Sequence, residues 1–174
     1  CNRLYNLTLK LSRGVVSIQD EGVFRMQFDL NGKVALVTGG GRGIGKNVSL
    51  MLAQNGAEVA LCGRTQETLD ETAAEIRAMG RQAWPVVADV RKYENIKSFV
   101  SEVVEAAGRI DILVNNAVYS VSAPFDEQSD ENWQQHIDVK LMSYIRCARE
   151  VMPHMRTQGG GRIINVTGMT ARIV

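Results

Sequence analysis

The sequence predicts an α/β fold in which a doubly wound parallel sheet carries helices on both faces. Three observations support this prediction. Short apolar runs rich in β-branched residues recur, as in strands that are buried on both faces of a parallel sheet. Segments with helical periodicity separate these runs, and a glycine ends several of the segments just before the next strand. The predicted strands lie at residues 34–37, 58–62, 83–88, 110–114 and 162–166.

The helices are predicted from the spacing of apolar residues. In residues 93–107 apolar side chains recur every three or four positions, which places them on one face of a helix. The same spacing over residues 130–155 predicts one long amphipathic helix, with Trp133 and the methionines in the core or at an interface. The glycines predicted to close helices are Gly56, Gly80 and Gly108. Because strand and helix alternate five times, we expect parallel strands joined by right-handed crossovers.

Composition bounds the class of protein. The 174 residues are 45% hydrophobic and 22% charged, which suits one globular domain. The net charge is +1 without a basic run, so neither nucleic acid nor a membrane surface is expected as a partner. Three cysteines without CxxC spacing argue against a disulfide framework or a metal site, and they favour a cytoplasmic location.

The two ends of the chain differ from its middle. Residues 1–25 show no clear periodicity, and we interpret them as an extraneous or disordered leader before a natural start at Met26. The sequence stops at Val174, shortly after the fifth predicted strand. Residues 26–174 are therefore predicted to form one domain that is truncated after this strand.

A glycine-rich loop at residues 38–45 directly follows the first predicted strand and opens a helix. A phosphate group can approach the backbone only where no Cβ intervenes, and the N–H groups of the helix N-terminus attract an anion. This context is typical of Rossmann-type dinucleotide-binding domains. A P-loop phosphotransferase is the competing interpretation, but Asn47 stands where that motif needs a Ser or Thr for Mg²⁺.

The sequence resembles the short-chain dehydrogenase/reductase family over residues 30–174. The T-G-x-x-x-G-I-G loop carries the first similarity. Asp89-Val90 resembles the pair that contacts adenine in the family, and Asn115-Asn116-Ala117 resembles the family's N-N-A-G. The segment 161–166, with the sequence Gly-Arg-Ile-Ile-Asn-Val, resembles the strand that leads to the active site.

The resemblance implies a dinucleotide cofactor, and the end of the second strand indicates which one. No carboxylate stands there to bind a ribose 2′-hydroxyl, whereas Arg64, helped by Arg42, could bind a 2′-phosphate. NADP(H) is therefore predicted over NAD(H). The predicted cofactor-binding residues are Gly39, Gly41, Arg42, Gly43, Ile44, Gly45, Arg64, Asp89, Val90, Asn116 and Ala117.

The resemblance further implies an oxidoreductase that interconverts a small carbonyl compound and an alcohol, but the family's catalytic positions differ here. Gly168 occupies the place of the family's Ser, Lys140 that of its Asn, and Val118 that of the Gly in N-N-A-G. The one Tyr followed four residues later by Lys is Tyr93, which lies far before the segment 161–166, so the family's Tyr-x-x-x-Lys pair would lie beyond the last residue. Thr167 and Lys140 are the catalytic candidates, with Thr170 as an alternative to Thr167.

Two function classes remain open. The first is an NADP(H)-dependent oxidoreductase whose residues 1–174 alone are inactive. The alternative is a non-catalytic dinucleotide-binding or scaffold protein of the same fold, which the substitutions at Lys140 and Gly168 favour. The resemblance also implies a homo-oligomer, whereas it does not specify the substrate.

Overall fold

The computed structural model describes residues 8–11, 14–19, 23–119 and 124–168. The main sheet has five parallel strands, which are β4 (Val34–Thr38), β5 (Glu58–Gly63), β6 (Ala83–Val87), β7 (Ile112–Asn115) and β8 (Arg162–Asn165). They lie side by side in the order β6-β5-β4-β7-β8. The helices are α1 (Gly43–Gln54), α2 (Gln66–Ala78), α3 (Tyr93–Ala107), α4 (Asp130–Ile137) and α5 (Ser143–Thr157), with a short 3₁₀ turn at Phe125–Glu127.

The order of the strands confirms the predicted doubly wound sheet. The chain runs outward from β4 to β5 and β6, then returns to the other side of β4 to form β7 and β8. The carboxyl ends of β4 and β7 are consequently neighbours at the point where the winding reverses, which is where ligands bind in open α/β sheets. The observed strands agree with the predicted ones to within two residues at each end.

Alternate side chains of the central strand enter two separate cores. Leu36 packs in the core that contains α3 and α5, whereas Val37 packs in the core that contains α1 and α2. This follows from the pleat, because successive side chains of a strand point to opposite faces. Gly56, Gly80 and Gly108 have φ values of 105°, 75° and 73°, as expected for glycines that end helices.

The prediction of a long helix over residues 130–155 is confirmed, but this helix is not regular along its length. A π-helical turn, Asp138–Met142, separates α4 from α5. The face that packs on the sheet carries Tyr144, Cys147, Val151 and Met155. The neighbouring apolar side chains, which we call the outer apolar face, are Trp133, Ile137, Leu141, Ile145 and Met152, and all five are exposed. The apolar side chains of residues 130–155 therefore cover more of the helix surface than the part that is buried. Trp133 and Met152 lie outside the core, whereas Met155 lies within it.

Three further strands lie in the segment for which the sequence indicated no pattern. They are β1 (Thr8–Leu11), β2 (Gly14–Gln19) and β3 (Val23–Gln27), and they form a separate antiparallel sheet in that order. Val15, Val16, Ile18 and Val23 have the β-branched side chains that favour strands. The assignment of residues 1–25 as a leader stays a prediction. Among the described residues, no helix combines the length and apolar character that crossing a membrane requires.

A cluster of charges anchors the amino end of β7 to β4. The Asp111 carboxylate accepts hydrogen bonds from the Val34 N–H at 3.0 Å, from Arg109 Nε at 2.8 Å and from Lys33 Nζ at 3.3 Å. Burial alone would raise the pKa of Asp111, but these hydrogen bonds outweigh it and hold the pKa below its usual value. The cluster therefore stabilises the fold when Asp111 is ionised.

We expect Asp111→Asn to lower the free energy of unfolding by about 2 kcal/mol at pH 7, because charge-assisted hydrogen bonds of a buried group are lost. A group whose pKa is lowered by folding stabilises above its unfolded pKa of about 3.9 and loses that contribution as the pH falls. The difference between variant and wild type should thus shrink below about pH 4. Urea denaturation at pH 7 and pH 3.5 measures it. Asp70→Asn, on the exposed side of α2, is the control. An equal difference at both pH values would contradict the prediction.

Candidate active site

A cleft of about 520 Å³ opens at the carboxyl ends of the strands, at the point where the winding reverses. All thirteen residues predicted to bind cofactor or take part in catalysis line it. They are Gly39, Gly41, Arg42, Gly43, Ile44, Gly45, Arg64, Asp89, Val90, Asn116, Ala117, Lys140 and Thr167. The fold therefore brings together on one surface residues that are as far apart in the sequence as Gly39 and Thr167.

The glycine loop forms one wall of the cleft, and its glycines have different roles. A Cβ on Gly45 would collide with the carbonyl oxygen of Gly39, and one on Gly41 would lie 2.8 Å from Thr68 Oγ1. Gly45 therefore allows the loop to close on itself, and Gly41 allows it to pack against α2. Gly43 has a φ of 54°, and a Cβ there would have no neighbour within 4 Å. Gly43 therefore leaves open space at the N-terminus of α1, a cradle that suits a phosphate.

Side chains from β4 and β7 hold the loop in place. Thr38 Oγ1 accepts hydrogen bonds from the backbone N–H groups of Asn116 and Ala117 at 2.9 and 3.0 Å. Asn116 Nδ2 in turn donates to the carbonyl oxygens of Thr38 at 3.0 Å and Gly39 at 3.3 Å. The Gly39 N–H donates to the carbonyl oxygen of Cys62 at 2.8 Å. These buried bonds fix the backbone that faces the cleft before any ligand arrives.

Two arginines stand at the end of the cleft next to β5. Arg42 and Arg64 are both exposed, and neither guanidinium has a carboxylate within 4 Å among the residues that the structure describes. Lys46, the lysine that a P-loop would direct at phosphate, instead forms an ion pair of 2.7 Å with Glu75 on α2. The geometry thus gives a second reason, besides Asn47, to reject the P-loop interpretation.

Asp89 is already bound to an arginine that the sequence did not single out. Arg91 Nε donates to both Asp89 carboxylate oxygens at 2.9 Å, and its backbone N–H donates to Oδ1 at 3.0 Å. The hydrogen bonds from Arg91 hold the pKa of Asp89 below its usual range. Arg91 also donates to Gln135 Oε1 on α4 at 2.6 Å. Its position two residues after Asp89 was the signal that could have found it.

The opposite end of the cleft contains the catalytic candidates. It is lined by the two candidates, Lys140 and Thr167, and also by Val118 and Gly168. Lys140 Nζ donates to Tyr144 Oη at 3.0 Å and to the Val166 carbonyl oxygen at 3.1 Å. Thr167 is exposed and presents a hydroxyl beside Gly168, which has no side chain to offer. Thr170, the alternative hydroxyl, lies outside the described residues.

Sequence reasoning also missed two tyrosines. Tyr119 lines the cleft, and its ring packs edge-on against His136 with a centroid distance of 5.1 Å. Tyr144 is buried on α5 beside Lys140, and no sequence motif drew attention to it. The spacing of Lys140 and Tyr144, four residues apart on a helix, was the available signal. Within residues 28–119 and 124–168, no group of three or more His, Cys, Asp or Glu side chains could hold a metal ion.

Comparison with known proteins identifies the family of the chain. The family model described as short chain dehydrogenase matches residues 33–173. The chain belongs to the short-chain dehydrogenase family. It is 39% identical over 147 residues to the short chain dehydrogenase/reductase astE of Aspergillus oryzae, covering 83% of this chain and 56% of that protein. The chain thus spans just over half the length of this relative.

Two related structures differ in their cofactor. A metagenomic short-chain oxidoreductase in complex with NADP has a TM-score of 0.76 and 35% identity, with 81% of this chain and 64% of that chain covered. An NAD⁺-bound xylitol dehydrogenase has a TM-score of 0.78 and 34% identity, with 83% and 56% covered. Family membership therefore establishes the fold of an oxidoreductase family, and the two related structures do not distinguish between the two dinucleotides.

Proposed function

We propose that this chain is the cofactor-binding part of an NADP(H)-dependent oxidoreductase that interconverts a carbonyl group and an alcohol. The observation that carries the proposal is the cleft itself. The open cradle at Gly43 and two arginines lie at one end, where neither guanidinium has a carboxylate within 4 Å among the described residues, and polar side chains lie at the other end. A nicotinamide dinucleotide, when bound, supplies the hydride that such a reaction transfers.

The residues at the glycine loop fit the phosphates of such a cofactor. In the proposal, the N–H groups at the start of α1 bind the pyrophosphate, and the absence of a Cβ at Gly43 lets it approach. Ile44, 64% exposed on the same turn, provides an apolar wall. Asp89, Val90, Asn116 and Ala117 line the space beyond the loop and are proposed to contact the rest of the dinucleotide.

Arg64 and Arg42 are proposed to select NADP(H). A guanidinium binds a phosphate through two parallel charge-assisted hydrogen bonds. Among the described residues, no carboxylate lies within 4 Å of the guanidinium of Arg42 or of Arg64. Asp89, the nearest acidic residue on the cleft wall, is held by Arg91. Its negative charge is thereby offset, so it opposes a 2′-phosphate less than a free carboxylate would.

At the other end, Lys140 and Thr167 are the proposed groups for the substrate oxygen. Both side chains can donate a hydrogen bond, whereas Gly168 has no side chain that could do so. The non-catalytic alternative retains the same loop and differs only in having no productive proton donor. NADPH consumption with a panel of ketones by the full-length protein that contains this chain separates the two, since tight NADPH binding without turnover favours the alternative.

We further propose that the outer apolar face of α4 and α5 is covered by a second copy of the chain. Its five apolar side chains are exposed on neighbouring turns, and contiguous apolar surface of this kind favours association. Proteins of the family often form oligomers, which supports the proposal. A cytoplasmic location, with neither nucleic acid nor membrane as partner, stays a prediction from composition.

The choice of cofactor is tested by Arg64→Asp. We expect this change to weaken NADPH binding by well over tenfold, which corresponds to about 1.4 kcal/mol, because a phosphate ligand is replaced by a like charge. NADH binding should be nearly unaffected. Calorimetric titration of both cofactors into the full-length protein measures the effect. Arg81→Asp, an exchange of the same charge outside the cleft, is the control. Equal losses for NADPH and NADH would show that Arg64 does not bind the 2′-phosphate.

A further inference from the structure

We propose that Tyr144 is a positioning residue that holds the Lys140 ammonium at the substrate end of the cleft, where the ammonium binds an oxyanion. The inference rests on the proposed function, because it names a group of the ligand that this end of the cleft accepts. It concerns two side chains on one helical segment and one carbonyl oxygen at the end of β8.

The three groups form a closed triangle of hydrogen bonds. Lys140 Nζ lies 3.0 Å from Tyr144 Oη and 3.1 Å from the Val166 carbonyl oxygen. Tyr144 Oη lies 2.8 Å from the same carbonyl oxygen, to which it donates its proton. The Tyr144 hydroxyl therefore accepts from Lys140 and donates to Val166. Each side chain restricts the other, and together they join α5 to the end of β8.

The two side chains differ in what they expose to the cleft. Tyr144 is 8% exposed and packs on the sheet side of α5, so its ring cannot reach a ligand without rearrangement. Lys140 is half-buried in the π-helical turn and lines the cleft. π-Helical turns within longer helices are frequent at functional sites. Tyr144 thus contacts the Lys140 ammonium from the buried side, whereas Lys140 itself faces the cleft.

A count of donors shows that the ammonium is incompletely satisfied. An ammonium has three N–H donors, and two of them are taken by neutral oxygens, those of Tyr144 and Val166. In the part of the chain that the structure describes, the third finds no acceptor and no carboxylate lies within 4 Å of Nζ. A partly buried cation without a counterion is costly, so an anionic oxygen in the cleft is the partner that this site favours.

Two sources can provide that oxygen at this end of the cleft. One is the carbonyl oxygen of the substrate. When a hydride from a reduced dinucleotide adds to the carbonyl carbon, a C–H bond forms, the C=O π bond breaks and its electron pair moves to this oxygen. The other is a permanent carboxylate on an oxo-acid substrate. Both are oxyanions, and both would be bound by the third N–H of Lys140. The first acts only during the reaction, whereas the second acts on binding, so the two are separable by experiment.

The experiment compares two ketones of equal chain length, levulinate (4-oxopentanoate) and 2-pentanone. Each is titrated by calorimetry into the full-length protein alone and with NADP⁺, a form of the cofactor that cannot donate hydride. Reduction by NADPH is then followed in single turnover. The variants are Lys140→Met, Tyr144→Phe and their combination. Tyr93→Phe is the matched control, because it also removes a tyrosine hydroxyl that contacts α5. This hydroxyl donates to Glu150 Oε1 at a distance of 2.5 Å, and Tyr93 does not line the cleft.

If the oxyanion is a carboxylate, Lys140→Met weakens levulinate binding by about tenfold or more and leaves 2-pentanone binding unchanged. If it is the forming alkoxide, binding of both ketones is unchanged and their reduction slows by a similar factor. In either case Tyr144→Phe lowers the same quantity, binding affinity or reduction rate, by a smaller factor of about three- to tenfold, and Tyr93→Phe leaves it unchanged. In the Lys140→Met background, Tyr144→Phe causes no additional loss.

Three results would overturn the proposal. Tyr144→Phe could behave like Tyr93→Phe, Tyr144→Phe could cost as much in the Lys140→Met background as in wild type, or Lys140→Met could match wild type in every measurement. A failure of the proposed function has a different signature, since the protein would then bind no dinucleotide. The levulinate titration into the protein alone would still compare Lys140 with Met at this position.

Discussion

Replacing Gly43 by valine is expected to abolish dinucleotide binding while the far-ultraviolet circular dichroism is largely retained. Gly43 begins α1 with a φ of 54°, a backbone conformation that costs an L-residue about 1–2 kcal/mol. A Cβ there meets no protein atom within 4 Å, so the branched side chain would project into the cradle where we propose that the pyrophosphate lies. The protein tolerates the side chain, whereas the ligand does not.

Gly108→Val separates the effect of Gly43→Val on stability from its effect on dinucleotide binding. Gly108 also has a left-handed backbone, with a φ of 73°, and a Cβ there also has no neighbour within 4 Å. It ends α3 and does not line the cleft. Both variants should therefore lose similar stability in urea denaturation, and only Gly43→Val should lose affinity for NADPH. Retained binding in Gly43→Val would mean that the phosphates lie elsewhere.

The second large effect concerns turnover. We expect residues 1–174 alone to reduce no ketone or aldehyde, whereas the full-length protein that contains them consumes NADPH. Hydride addition to a carbonyl leaves an oxygen that must be protonated, and a well-placed acid contributes about 10²–10⁴-fold in rate. Gly168 has no side chain, and Lys140 shares two of its N–H groups with Tyr144 and Val166. In addition, all four residues of the edge strand β8 are exposed, so this side of the cleft is open to water.

The measurement is the oxidation of NADPH by both proteins against the same panel, with NADPH binding measured in parallel. Steady turnover by residues 1–174 would place the proton donor within them, and Thr167 and Lys140 would be the first side chains to replace. Turnover by the full-length protein alone places the donor outside these residues. If neither protein turns over while both bind NADPH, the non-catalytic alternative gains support.

Much of the site could be predicted because backbone chemistry restricts it. A loop that must approach a phosphate and pack against neighbouring strands admits glycine at several positions, and Gly43 and Gly45 are needed for different reasons. Once the parallel order of the strands is known, Asp89, Asn116 and Thr167 must meet at one edge, because each follows the carboxyl end of a strand. These inferences depend on main-chain geometry and require no knowledge of side-chain contacts.

Partners of polar side chains could not be predicted in this way. Asp89 resembles a ligand-binding residue in the sequence, and only the structure pairs it with Arg91 and, through Arg91, with Gln135 on a distant helix. Lys140 was identified as a substitution and its spacing to Tyr144 is visible in the sequence, whereas its contact with Val166 depends on how the helix lies against β8. Long charged side chains have many rotamers, so their partners are decided by packing.

By itself, the sequence predicted the alternating strands and helices and the glycine loop, because periodicity and glycine placement are local properties of the chain, and the resemblance of four motifs indicated the family. Tertiary structure alone decided which part of the apolar band over residues 130–155 is buried. The π-helical turn at Asp138–Met142 divides that segment, and one face of α5 meets the sheet while the adjoining apolar side chains remain outside. Periodicity measures how side chains are spaced around a helix axis, whereas burial depends on where the neighbouring strands lie. That position is set by residues far away in the chain.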